Sequence, residues 1–184
     1  MYRKQLQHII LEIGERFDLK DVYIIGTSAI LAWLSDPPVE AVVMSNDVDV
    51  LPMTDEERIA DRISFVIGEA SDFDEQYGYY AQGVTSSTPK FAPHDWKSRT
   101  IPMRVKKYTG WCMHPVDLVL SKIGAARDKD IQFVKEIALL NLLDRKKILD
   151  RVSAIDCSPE EGQRIAQQVR SLFPEDMTSA PHVR

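Results

Sequence analysis

Cysteine is scarce in this chain, and long apolar runs are missing from it. The 184 residues contain two cysteines, Cys112 and Cys157, far apart and outside any metal-binding or redox motif. A structural zinc site and a disulfide framework are therefore not indicated. No segment reaches transmembrane length, and the N-terminus lacks the apolar core of a signal peptide. We therefore expect a cytoplasmic protein with no membrane partner.

An excess of basic residues is also missing. Lysine and arginine total 23 against 28 aspartates and glutamates, for a net charge of −5. This balance excludes wholesale coating of nucleic acid, so any such contact must come from a local patch. The length and the hydrophobic content of 44% suit one domain, or one domain with a helical appendage.

Hydrophobic periodicity predicts an α+β fold: a small mixed β-sheet core flanked by helices, with a C-terminal helical part. The predicted helices cover residues 6–17, 28–34, 54–66, 115–130, 131–142, 144–153 and 159–173. The predicted strands cover residues 22–26, 42–51, 79–84 and 101–108. We assign the core to residues 1–112, the helical part to 113–176 and a loose tail to 177–184.

Two aspartates interrupt the apolar stretch SNDVDVL, residues 45–51. Residues two apart in a strand point to the same side, so the carboxylates of Asp47 and Asp49 repel each other unless a cation lies between them. One interpretation is the solvated face of an edge strand. The other is a site for Mg²⁺ or Mn²⁺, which prefer hard oxygen ligands. The valines around the acids favour the metal site.

Two further segments carry candidate chemistry. In IIGTSAIL, Gly26, Thr27 and Ser28 lie between a strand and a helix, where free backbone N–H groups suit phosphate, although such a glycine is also commonly just a turn. In DLVLSKIGAARDKD, Lys122 and Asp130 are two helical turns apart. A lysine among small and apolar neighbours needs an acidic partner if it is buried. The alternative is a solvated face with intrahelical pairs, such as Arg127 with Asp130.

Taken together, these segments resemble the nucleotidyltransferase fold related to DNA polymerase beta. The residues that carry the resemblance are Gly26-Thr27-Ser28 and Asp47-Val48-Asp49. The later pattern LxxxKxxA followed by RDKD resembles the AbiEii-like branch, which comprises toxin-type nucleotidyltransferases and their bacterial relatives. Its residues here are Leu118, Lys122, Ala125 and residues 127–130. The stretch FDEQYGYYAQGV, with Trp96 and Arg99, is also similar, and the resemblance spans roughly residues 20–145.

The resemblance implies a role for each matching residue. Asp47 and Asp49 would bind the magnesium ion, and the turn of Gly26, Thr27 and Ser28 would hold the nucleotide phosphates. Lys122 and Arg127 would contact the nucleotide as well, and Asp130 would be a catalytic or orienting acid. The implied catalytic set is therefore Asp47, Asp49, Lys122 and Asp130. The chain differs from many relatives at Thr27, where they have a second glycine, and at Val43, where they have arginine.

A third metal-binding acid, usual in the superfamily, is left open among Glu69, Asp117 and Asp130.

The implied activity is magnesium-dependent transfer of a nucleoside monophosphate from an NTP to RNA such as a tRNA end, to a protein or to a small molecule. The branch also implies a toxin role with a cognate antitoxin. Arg104, Lys106 and Lys107 either contact nucleic acid or solubilise a sheet edge. Two rival functions are a catalytically degenerate binding protein of the same fold and a metal-dependent phosphohydrolase.

Overall fold

One mixed β-sheet forms the centre of the fold. The computed structural model describes residues 1–34, 40–54 and 56–174. Its strands are β1 (Asp21–Ile25), β2 (Asp47–Pro52), β3 (Tyr80–Gly83), β4 (Ile101–Val105) and β5 (Tyr108–Cys112). They lie in the order β3-β2-β1-β5-β4. β1 runs antiparallel to β2 and parallel to β5, β2 is parallel to β3, and β4 is antiparallel to β5. The predicted α+β fold with a small mixed sheet is confirmed.

Helices cover this sheet and form most of the second half of the chain. They are α1 (Arg3–Phe17), α2 (Glu40–Val43), α3 (Glu56–Ile67), α4 (Asp72–Tyr77), α5 (Pro115–Ala125), α6 (Asp128–Leu139), α7 (Arg145–Leu149) and α8 (Pro159–Leu172). Short 3₁₀ helices span Thr27–Ala32, Trp96–Arg99 and Val152–Ala154. α1 packs on β4 and β5, α3 packs on β2 and β3, and α5 packs on α6, α7 and α8. No helix in the described part of the chain has the length and apolarity to cross a membrane.

The predicted strand over residues 42–51 is wrong at its start. Val42 and Val43 end the single-turn helix α2, and the strand begins only at Asp47. β-branched residues favour strands, but packing overrides that preference here. Val42 is fully buried, and the Ala41 N–H donates to the Glu136 carboxylate of α6 at 2.9 Å. This partner lies far along the chain, so local sequence does not reveal it.

The predicted helix over residues 115–130 is also wrong, because it is two helices. Ala126 has φ of 54°, and Arg127 is extended, so α5 ends before α6 begins. The Arg164 side chain of α8 donates to the carbonyl oxygens of Ile123 and Gly124 at 3.3 and 2.9 Å. It thereby binds carbonyl groups that the end of a helix leaves without partners.

The strand predicted over residues 101–108 is one arm of a hairpin. β4 ends at Val105, Lys106 turns the chain with φ of 54°, and Tyr108 begins β5. β5 lies between β1 and β4, so the prediction missed an interior strand. The two turn residues are lysines rather than the Asn-Gly or Asp-Gly typical of a tight hairpin, so the usual signal was missing.

Buried side chains of the sheet and of the later helices belong to one hydrophobic cluster. It includes Ile24 of β1, Leu51 of β2, Leu118 of α5 and Phe133 of α6. The predicted division at residues 112 and 113 coincides with the end of β5, and it stays a prediction. The predicted tail, 177–184, lies outside the described residues.

A network of ion pairs connects the segment before β4 to the helical part. The fully buried Asp117 accepts hydrogen bonds from Arg99 Nε at 2.9 Å and from Arg151 Nε at 3.1 Å. Arg151 also donates to both carboxylate oxygens of Asp95, at 3.0 and 2.6 Å. A buried carboxylate is tolerated only with such partners. Its removal would leave Arg99 without this partner and Arg151 with Asp95 alone.

Replacing Asp117 with asparagine therefore tests this network. We expect Asp117→Asn to lower the free energy of unfolding by roughly 3 kcal/mol, because Arg99 and Arg151 lose their shared counter-charge. Glu15→Gln is the control, since it breaks the exposed Glu15–Lys106 pair and should cost less than about 1 kcal/mol. Urea denaturation measures both, and equal losses would contradict the structural role of Asp117.

The ion pair between Asp95 and Arg151 should make the free energy of unfolding depend on pH in acid. The hydrogen bond from Arg151 lowers the pKa of Asp95 to about 2. The folded carboxylate therefore stays charged at pH values where the unfolded one is protonated. Its contribution is complete above about pH 4 and is lost as the pH falls through about 2. We expect the difference in unfolding free energy between wild type and Asp95→Asn to shrink over that range in urea titrations. A difference that stays constant down to the acid limit would contradict the pair.

Candidate functional site

The turn after β1 places the backbone of Gly26 directly against the Asp49 side chain. Gly26 has φ of 70° and ψ of −171°, a backbone conformation that residues other than glycine rarely adopt. A Cβ atom at Gly26 would collide with Oδ2 of Asp49. The two meet because β1 and β2 are antiparallel, with Ile25 paired to Asp49. The pairing of β1 with β2 therefore places Gly26 in contact with the Asp49 carboxylate.

Asp47 and Asp49 occupy one face of β2, as predicted from their spacing. Both are half-buried, and the intervening Val48 is fully buried on the other face. The Ser45 hydroxyl donates to Asp47 Oδ1 at 2.8 Å. Burial, and then the neighbouring charge of Asp47, raise the pKa of Asp49 to about 6. The positive charge of Lys122 opposes this shift. The pair is thus a concentrated negative site.

These two carboxylates fit a magnesium ion. Mg²⁺ in proteins commonly keeps several waters and uses one or two carboxylates, with substrate phosphates completing its shell. The described residues contain no group of three or more acidic, histidine or cysteine side chains placed to hold a metal. The residue paired with Asp49 on β3 is the neutral Gln82. Among the described residues, the candidate donors are therefore Asp47 and Asp49 alone, and solvent or phosphate oxygens would have to complete the shell of a cation.

The three candidates for a third acid have other surroundings. Asp117 binds two arginines, as described above. Asp130 binds Lys122 and Arg127. Glu69 is exposed on the protein surface. Their assignment to the metal therefore gains no support from the geometry.

Asp130 forms ion pairs with two cations, Lys122 of α5 and Arg127 of the turn between α5 and α6. Its Oδ1 atom accepts from Lys122 Nζ at 2.8 Å, and its Oδ2 atom accepts from Arg127 Nε at 2.6 Å. Asp130 is fully buried, and Lys122 is 8% exposed. Burial alone would raise the pKa of Asp130, but the hydrogen bonds from Arg127 and Lys122 keep it below its ordinary value. The predicted burial of Lys122 with an acidic partner is confirmed, and the Arg127–Asp130 pair is present as well.

These groups share one cleft of about 300 Å³. Five of the eight predicted site residues line it: Gly26, Asp49, Lys122, Arg127 and Asp130. The cleft therefore places Asp49 of β2, Lys122 of α5 and Arg127 of the turn that follows α5 around one volume.

The other three predicted residues, Thr27, Ser28 and Asp47, lie outside its lining. Asp47 is next to Asp49 on β2. Ser28 is 1% exposed, and its hydroxyl has no hydrogen-bond partner among the described residues. Its contact with phosphate stays a prediction.

Sequence reasoning missed one wall of the cleft. Four consecutive residues, Thr88, Pro89, Lys90 and Phe91, line it. They lie between the predicted strands 79–84 and 101–108, where the sequence predicts no helix or strand. A lysine next to an aromatic residue in such a loop is the signal that would have identified them, since both types recur in nucleotide sites.

A comparison with protein families matches residues 4–176 to a family described as "Nucleotidyltransferase of unknown function (DUF6036)". The match covers most of the chain, which therefore belongs to this family. Comparisons with curated proteins and with solved structures found no match. The predicted membership in the nucleotidyltransferase superfamily is thus confirmed, while the AbiEii-like branch stays a prediction.

The contact between Gly26 and Asp49 is testable with two glycines of equal φ. Gly78 also has φ of 70°, but a Cβ atom there would meet nothing within 4 Å. We expect Gly78→Ala to cost roughly 1–2 kcal/mol through backbone strain. Gly26→Ala should cost more, because the ψ of Gly26 is less tolerated by alanine and because the methyl group displaces the Asp49 carboxylate.

Urea denaturation measures both losses, and a double-mutant cycle isolates the collision. Gly26→Ala should cost less in an Asp49→Ala background than in the wild type. An equal cost in the two backgrounds would show that the collision with Asp49 contributes nothing.

Proposed function

We propose that this member of a nucleotidyltransferase family transfers a nucleoside monophosphate from an NTP to an acceptor, using Mg²⁺ or Mn²⁺. The observation that supports it is the common cleft, where Asp49 and the Gly26 turn share a volume with Lys122, Arg127 and Asp130. The fit of Asp47 and Asp49 to a hard cation supports the metal requirement.

In this reaction the acceptor oxygen attacks the α-phosphorus, and the bond from the α-phosphorus to the oxygen shared with the β-phosphate breaks. Pyrophosphate leaves, and the proton of the acceptor passes to solvent. A cation bound by Asp47 and Asp49 would neutralise phosphate charge and lower the pKa of the acceptor group. Lys122 and Arg127 stabilise the negative charge that grows on the leaving pyrophosphate. Asp130 orients both cations through its two oxygens.

The acceptor is RNA, a protein hydroxyl or a small molecule, and the AbiEii-like pattern supports a toxin neutralised by a cognate antitoxin. The basic residues considered for an RNA contact lie elsewhere. Arg104 is on β4, an edge strand, and Lys106 pairs with Glu15 at 3.2 Å. Charges on an edge strand deter pairing with other chains, which favours the sheet-edge interpretation for this patch.

The second candidate function is a catalytically degenerate binding protein of the same fold. The buried Ser28 hydroxyl and the neutral Gln82 beside Asp49 favour it. Thr27 and Val43, which replace glycine and arginine of many relatives, point the same way. Such a protein would associate with a partner without nucleotide turnover.

The decisive assay incubates the full chain with each α-labelled NTP, Mg²⁺, total RNA and protein extract. We expect label in RNA or in protein with at least one NTP. Asp47→Asn and Asp49→Asn should each reduce it by at least about a hundredfold, because a metal ion contributes several kcal/mol to such transition states. Asp61→Asn, an exposed acid of α3, is the control and should label like the wild type.

The remaining outcomes identify the rival functions. Conversion of the labelled NTP to labelled NDP with release of free phosphate, and with no adduct, would indicate a phosphohydrolase. Absence of label from RNA and protein with all four NTPs, together with capture of a tight protein partner, would favour the degenerate binding protein. Label that persists in both aspartate variants would contradict the metal assignment.

A further inference from the structure

A fixed segment between β3 and the helix Trp96–Arg99 contributes one wall of the cleft. We call residues 86–94 the strap. At its start, the Ser86 N–H donates to the Glu56 carboxylate of α3 at 2.9 Å. At its end, Pro93 pairs with Ile155, and the His94 N–H donates to the Ala154 carbonyl at 2.8 Å. The strap is thus bound at both ends, with its lining residues between the two attachments.

Phe91 of the strap lies directly on the backbone of α5. A Cβ atom at Gly124 would collide with Cβ and Cγ of Phe91, so only glycine allows this approach. Phe91 therefore packs on Gly124, which is two residues after Lys122 in α5. Pro89, Met113 and Leu118 extend the apolar part of the cleft lining. A half-buried ring beside an apolar wall is suited to the flat face of a nucleobase.

Lys90 is the one cleft-lining cation without a carboxylate partner in the described part of the chain. Lys122 and Arg127 both bind Asp130. The Lys90 ammonium instead lies 5.0 Å from the centroid of the Phe91 ring, and its side chain is exposed. Its charge is therefore available to an anion without competition from a carboxylate, whereas Lys122 and Arg127 share the single negative charge of Asp130.

We propose that Phe91 and Lys90 bind the nucleoside triphosphate, a role that rests on the proposed function. The nucleobase stacks on the Phe91 ring, and the Lys90 ammonium forms an ion pair with the polyphosphate. An exposed cation–π contact is weaker than stacking of a base on an aromatic ring. On nucleotide binding, the Lys90 ammonium therefore leaves the Phe91 ring and contacts phosphate, and the base stacks on the ring in its place.

Calorimetry of the full chain in Mg²⁺ tests this, with α,β-imido analogues of the four NTPs and with the matching nucleosides. Lys90→Ala should weaken triphosphate binding roughly tenfold, the scale of a charge-assisted contact, and leave nucleoside binding unchanged. Phe91→Leu should weaken both ligands roughly tenfold, since it keeps the packing on Gly124 but removes the stacking surface. Phe91→Tyr, which keeps an aromatic ring, should retain the wild-type affinities.

Lys107→Ala is the matched control. Lys107 lies 5.2 Å from the Tyr108 ring, an equivalent cation–π contact on the hairpin outside the cleft lining. Binding by this variant should equal that of the wild type, and each variant is first shown to have a wild-type urea midpoint.

Three results would overturn the inference, and they have different consequences. If the wild type binds an NTP and Lys90→Ala and Phe91→Leu bind it equally well, the inference fails while the proposed transfer reaction stands. If the wild type binds none of the four analogues, both fail. Loss of triphosphate binding in Asp49→Asn alone would place the ligand at the acids and away from the strap.

Discussion

The arrangement of the cleft depends on one buried carboxylate, that of Asp130. Because it has no exposure to solvent, it is tolerated only with cationic partners, and it has two. Lys122 reaches it from α5, and Arg127 reaches it from the turn that follows. At the start of that turn, Arg164 binds the carbonyl groups of Ile123 and Gly124 at the end of α5. The ion group thereby connects α6 to α5 and holds both cations at the cleft.

The opposite charge in the cleft comes from the sheet. Asp49 is raised in pKa by burial and by Asp47, while the charges of Lys122, Lys129 and Arg127 act against that rise. Asp49 and the cations Lys122 and Arg127 therefore line one cleft, and in the described part of the chain these cations pair with Asp130 rather than with Asp49. This separation of charge suits a metal–triphosphate complex, since the cation has its own ligands and the phosphates have theirs.

Sequence and structure agree best where the signal is local. The spacing of Asp47 and Asp49 predicted that they share a face, since side chains alternate along any strand. A lysine among apolar neighbours predicted a buried ion pair for Lys122, since an unpaired buried charge is too costly. Disagreement appears where distant groups decide. α2 depends on Glu136, the end of α5 depends on Arg164, and β5 depends on its neighbours in the sheet.

By itself, the sequence determined the α+β class, the identity of the acid pair and the nucleotidyltransferase resemblance, because periodicity and short motifs are properties of neighbouring residues. Only the tertiary structure decided which of these residues share a cleft. It brought Gly26 against Asp49 through strand register, left the Ser28 hydroxyl buried, and added Lys90 and Phe91 to the wall. Such contacts join residues far apart in the chain, and no local pattern encodes the distances between them.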